Sequence, residues 1–115
     1  MKIKNTYNAE LYLGSINEKT GKQFSYENLV REIGIFQEEC TKMVPVCVSE
    51  VEFISGIEYR EKGWRVSVIN YPKIDITPKD IDRFMINLAE VLVFALHQKR
   101  ITVIGSKQTV MIENL

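Results

Sequence analysis

Residues 78 to 96 set the terms for the rest of the chain. Thr77-Pro78-Lys79-Asp80 is a strong helix start: a hydroxyl cap, proline at the first helical position, and a carboxylate beside the positive end of the helix dipole. Behind it Ile81, Phe84, Met85, Leu88, Leu92, Ala95 and Leu96 recur at helical spacing. Such a stripe has to be buried against another element.

The neighbours of this helix in sequence are mostly strands. "NAELYLGSI" places Leu11 and Leu13 on one face and Glu10 and Tyr12 on the other. A polar loop over 15–24 then leads to a second helix start, with Ser25 as cap and Phe24 and Leu29 as a hydrophobic staple. Leu29, Ile33, Phe36 and Cys40 form its stripe, and Gly34 weakens its middle by roughly 1 kcal/mol relative to alanine unless a close contact explains the glycine.

"KMVPVCVSEVEFISG" and "GWRVSVINYP" are rich in β-branched residues and read as a hairpin. Its turn is expected near Glu61-Lys62-Gly63, with Gly56 as a bulge or bend. Trp64, Val66 and Val68 alternate there with Arg65, Ser67 and Ile69. After the Thr77 helix, "RITVI" and "TVMI" form a second hairpin through Gly105-Ser106-Lys107. The order predicts an α+β fold, a ferredoxin-like β-α-β-β-α-β sandwich. Its antiparallel sheet would carry two helices on one face and a C-terminal hairpin, in a single domain over residues 1–115.

Composition narrows the function classes. The 115 residues hold 15 basic and 15 acidic side chains, so the clear basic excess of a dedicated nucleic-acid binder is missing. Cys40 and Cys47 are seven apart and the chain has one histidine, too few for a zinc site or a disulfide scaffold. No motif calls for a cofactor or a metal. "MKIKNTYNAE" lacks the apolar core of a secretion signal, and no run approaches a membrane span, which gives a cytoplasmic expectation with no membrane partner.

One stretch imitates a phosphate-binding loop. In "LYLGSINEKTGKQF" a strand, a glycine and a Gly-Lys pair precede a helix. The P-loop needs four residues between the glycine and the pair, then Ser or Thr. Here six residues separate Gly14 from Gly21, Gln23 follows Lys22, and the cap puts the helix start at Ser25. The stretch is a turn in which Gly21 supplies a positive φ.

Four further groups carry chemistry. His97 sits at the end of the Thr77 helix, where the helix dipole favours it as a solvated residue, with no nucleophile assigned to it. Glu50 and Glu52 share a strand face and, with Glu58, form either a carboxylate cluster or a solvent-facing edge. Tyr59, Arg60, Trp64, Arg65, Tyr71 and Lys73 crowd the central hairpin and its exit, residue types that dominate recognition surfaces and hold anions or stack on rings. Ile86, Val93 and Phe94 lie around the side of the Thr77 helix away from its core stripe and are the expected subunit contact.

The sequence therefore predicts a small non-enzymatic homo-oligomer. It would recognise a small anionic, nucleotide-like ligand or a protein partner through the aromatic and arginine hairpin. The competing expectation is a small dimeric α/β-barrel enzyme, an isomerase or cofactor-free oxygenase, moving a proton with His97 or a glutamate.

Overall fold

Both helices begin where their caps place them. Ser25 accepts a hydrogen bond from the Asn28 backbone N–H at 3.0 Å. Thr77 and Asp80 form a reciprocal capping box, Thr77 Oγ1 accepting from Asp80 N–H at 3.1 Å and Asp80 accepting from Thr77 N–H at 3.2 Å. Each arrangement satisfies backbone donors that the first turn leaves open, worth about 1 kcal/mol per cap. The computed structural model describes residues 1–3, 7–69 and 75–114.

The elements run β1 (Glu10–Gly14), β2 (Ile16–Asn17), β3 (Lys22–Gln23), α1 (Tyr26–Glu39), β4 (Val46–Ser55), β5 (Tyr59–Val68), α2 (Pro78–Ala95), β6 (Arg100–Ile104) and β7 (Thr109–Glu113). Five strands form one sheet in the order β4-β5-β1-β6-β7, with every neighbouring pair antiparallel. Two helices and an antiparallel sheet make an α+β fold. Leu11, Leu13, Val66, Val68, Ile101 and Val103 join the apolar faces of α1 and α2 in a single core. Phe36 of α1 meets Phe84 of α2 with ring centroids 5.2 Å apart, closing the seam between the helices.

Three local readings change. The 15–24 segment is not bare loop but a two-strand ribbon, β2 against β3, turned by Gly21 at φ 72°. The central hairpin turns at Gly56, whose φ of 81° is costly for other residues, and not at Glu61-Lys62-Gly63. Gly63 instead lies inside β5, opposite Gly14 of β1. Gly34 has open space where a Cβ would sit, so no close contact accounts for it.

In α2 the buried set is wider than the predicted stripe. Ala89 and Val93 are fully buried with Leu88 and Leu92, while Ala95 is exposed. The helix is covered by β1, β6 and β7 and also by α1, so two partners share its circumference. Val93 is thereby removed from the expected subunit contact, because its own chain already buries it completely.

The β4–β5 hairpin outruns its neighbours. β1 pairs with β5 only from Ser67 to Gly63, whereas β4 pairs with β5 as far as Ser55 and Tyr59. The last residues of the hairpin form a two-stranded arm with no third strand beside it among the described residues. The radius of gyration, 14.6 Å, exceeds the roughly 13 Å of a compact domain this long. No helix among the described residues is long and apolar enough to cross a membrane.

Candidate functional site

Where the arm passes the end of β1, it encloses a cleft of about 470 Å³. It is lined by Gly14, Ile16 and Glu18, by Phe53, Tyr59, Arg60 and Glu61 of the arm, by Gln98 and Lys99 from the link between α2 and β6, and by Arg100 at the start of β6. The volume falls in the range of small-molecule sites.

Two glycines shape this cleft. At Gly63 a Cβ would run into the Leu13 carbonyl and the Phe53 ring, so only glycine lets Phe53 lie across β5. That ring meets Tyr12 edge-on at 6.2 Å, giving the arm an aromatic footing on the open face of the sheet. At Gly14 a Cβ would stand 2.7 Å from Glu61 Oε1, so the bare Cα leaves room for the carboxylate.

The base of the arm is pinned by polar contacts. Ser15, buried at 6% exposure, donates from Oγ to the Lys62 carbonyl at 2.9 Å. On the far side α2 ends in a Schellman motif: His97 N–H donates to Phe94 O at 3.2 Å and Gln98 N–H to Val93 O at 2.9 Å. His97 takes the left-handed position, at φ 48°, where glycine is usual. Its carbonyl accepts from Glu18 N–H at 2.9 Å, tying the helix end to the ribbon. The role of His97 in the fold is carried by its backbone, and its side chain does not line the cleft.

Inside the cleft, Tyr59 Oη donates to Glu61 Oε2 at 2.7 Å. That hydrogen bond, and the carboxylate charge behind it, push the Tyr59 phenol above its ordinary pKa, while the Arg100 guanidinium pulls it the other way. Tyr59 is therefore a neutral donor at neutral pH, and Glu61 is left with Oε1 unengaged by this contact. Arg60, Lys99 and Arg100 provide three cations against the carboxylates of Glu61 and Glu18.

The structure divides the hairpin residues singled out in sequence. Tyr59 and Arg60 share the cleft. Trp64 lies on the helix side of the sheet, against Tyr26 with centroids 5.5 Å apart and the rings tilted by 42°, and its indole nitrogen is buried with no hydrogen-bond partner among the described residues. Arg65 faces the other way and meets Glu10 at 3.7 Å. Tyr71 and Lys73 lie outside the described residues. Glu50 and Glu52 stand opposite Trp64 and Lys62, and no group of three metal-ligating side chains forms among the described residues. Phe53, Glu61, Gln98, Lys99 and Arg100 escaped the sequence reading, since the cleft joins segments distant in the chain.

No protein-family model matches the chain, and no curated protein does. Solved structures do. The chain is similar in fold to phage SAM lyase. Against that protein in its apo state the TM-score is 0.74 at 11% identity, covering 94% of this chain and 89% of the other. Against a phage SAM lyase in complex with S-methyl-5′-thioadenosine it is 0.68 at 9% identity, with the same coverage. At these identities the likeness is one of fold.

Proposed function

We propose that the cleft binds S-adenosylmethionine (SAM) and that the chain cleaves it to S-methyl-5′-thioadenosine. The observation that carries this reading is the make-up of the cleft, which brings aromatic rings, three cations and two carboxylates together within about 470 Å³. SAM presents the complement: a purine to stack, a carboxylate for arginine or lysine, and a positive sulfonium. Phe53 and Tyr59 are assigned to the purine, and Arg60, Lys99 and Arg100 to the carboxylate. The likeness to phage SAM lyase over nearly the whole chain supports the choice of ligand.

Cleavage breaks the bond between sulfur and the four-carbon amino-acid chain. The electron pair stays on sulfur, giving the neutral thioether. The remaining fragment balances by losing a proton or by closing onto its own carboxylate. Purified protein incubated with SAM is expected to release S-methyl-5′-thioadenosine at a rate proportional to protein, read by chromatography with mass detection. SAM bound but recovered intact would restore the non-enzymatic binding reading. Absence of both binding and turnover ends the proposal.

The same reading includes a ferredoxin-like sandwich with the C-terminal hairpin as its added strand, supported by the strand order β4-β5-β1-β6-β7. It also includes self-association. Phe94 on α2 is 63% exposed, and Ile54 and Ile57 on the arm are 64% and 98% exposed. Ile86 of α2 is half-buried against the core. A two-stranded arm is marginal alone and gains from a neighbour. Light scattering that reads a 13.3 kDa monomer at high concentration would remove this part.

A further inference from the structure

Gln98 is only 4% exposed, yet it lines the cleft. Its amide nitrogen donates twice to backbone, to Ile16 O at 2.8 Å and to Leu96 O at 3.2 Å. Both partners are carbonyls and can only accept. The amide therefore has one workable orientation, with its own oxygen turned away from them. That oxygen lies 3.6 Å from the point where a Cβ on Gly14 would sit, and Glu61 Oε1 lies 2.7 Å from the same point.

Two acceptor oxygens thus converge above a bare Cα. Glu61 is held by the Tyr59 hydroxyl on its other oxygen, and Gln98 is held by two backbone carbonyls. Among the described residues neither Glu61 Oε1 nor Gln98 Oε1 accepts a side-chain hydrogen bond. Both oxygens belong to cleft-lining residues and flank the same Cα, so a ligand group lying over Gly14 is placed beside both. With a full charge on one and a carbonyl dipole on the other, that group is favoured when it is positive. The cleft's remaining carboxylate, Glu18, is on an exposed turn and offers no such pair.

We infer that the Glu61–Gln98 acceptor pair over Gly14 receives the positive centre of the ligand, so that the cleft selects an adenosyl cation over its neutral thioether counterpart. The inference rests on the SAM reading above. It adds a consequence: the substrate sulfonium is held at a point where the neutral product is not.

The test is a titration calorimetry panel. Sinefungin carries an amine cation in place of the sulfonium and has no carbon–sulfur bond to cleave. S-adenosylhomocysteine lacks only the S-methyl group of SAM and, with it, the positive charge on sulfur, whereas S-methyl-5′-thioadenosine keeps the methyl on a neutral sulfur and lacks the amino-acid part. Wild-type protein is expected to prefer sinefungin to S-adenosylhomocysteine by about tenfold or more, the scale of a hydrogen-bonded charge contact.

Two variants act on the pair. Glu61→Gln removes the charge and keeps the shape. Gly14→Ala puts a methyl against the Glu61 carboxylate, which must move aside while its charge stays in the protein, and a melting curve checks its fold. Either substitution is expected to bring the preference to within about threefold of unity, while S-adenosylhomocysteine binds as before. An unchanged preference in both variants overturns the inference. So does a fall in S-adenosylhomocysteine affinity in step with sinefungin, which would place the pair on the ammonium or the ribose. If no adenosyl compound binds wild-type protein, the SAM reading itself fails, a result distinct from the other two.

Discussion

Replacing Gly63 by alanine is expected to destabilise the protein by about 3 kcal/mol, the upper range for forcing a methyl into packed structure. For a domain of this size that lowers the melting temperature by roughly 12 °C. The added Cβ meets two obstacles at once, the Leu13 carbonyl and the Phe53 ring. A side chain can rotate away, but the carbonyl belongs to β1, the strand between β5 and β6 at the middle of the sheet. Relief requires β1 and β5 to part where Gly14 and Gly63 face each other. Gly34 is the control, because alanine there meets nothing within 4 Å and improves helix propensity. A Gly63→Ala protein melting within about 2 °C of wild type would show that β5 accommodates a side chain and that Phe53 is not held in place by this glycine.

That glycine also shows what local sequence conveys and what it does not. The helix starts at Ser25 and Thr77 were legible because a cap, its partner three residues on and the following stripe all lie within one or two turns. The turn of the central hairpin was not, because Gly56 and Gly63 are both plausible corners in sequence. Only the pairing of Glu50 with Trp64 and Ser55 with Tyr59 decides between them. Moving the turn to Gly56 lengthens β5 by four residues and creates the arm that makes the cleft.

The hairpin cluster scattered for a related reason. Successive strand residues face opposite ways, so Tyr59 and Arg65 belong to one side of β5 and Trp64 to the other. Crowding in sequence does not become convergence in space. Helical spacing puts Val93 away from the core stripe without saying whether its own chain or a partner covers it, and α2 is in fact covered by both the sheet and α1. The cleft itself draws on Gly14, Glu61 and Gln98, each ordinary in its own segment. Their relation appears only when β1, β5 and the end of α2 are brought to one corner of the sheet.

Glu61→Gln is expected to raise KM for SAM about 30-fold while leaving kcat unchanged or higher. The size is that of one charge-assisted contact made by a carboxylate partly withdrawn from water. The division between KM and kcat follows from the charge change in the reaction. The sulfonium is fully positive in bound SAM and loses its charge as the carbon–sulfur bond breaks. A carboxylate at the sulfur therefore stabilises the bound substrate more than the transition state, which aids capture and does not aid the chemical step. On the proposed reading, the tyrosine that holds Glu61 and the glutamine beside it would act on the same ground-state contact. Steady-state kinetics of wild type and Glu61→Gln separate this from the alternative directly. A drop of about 100-fold in kcat at little-changed KM would mark Glu61 as the group that moves a proton during cleavage and would take the sulfonium away from the Gly14 corner.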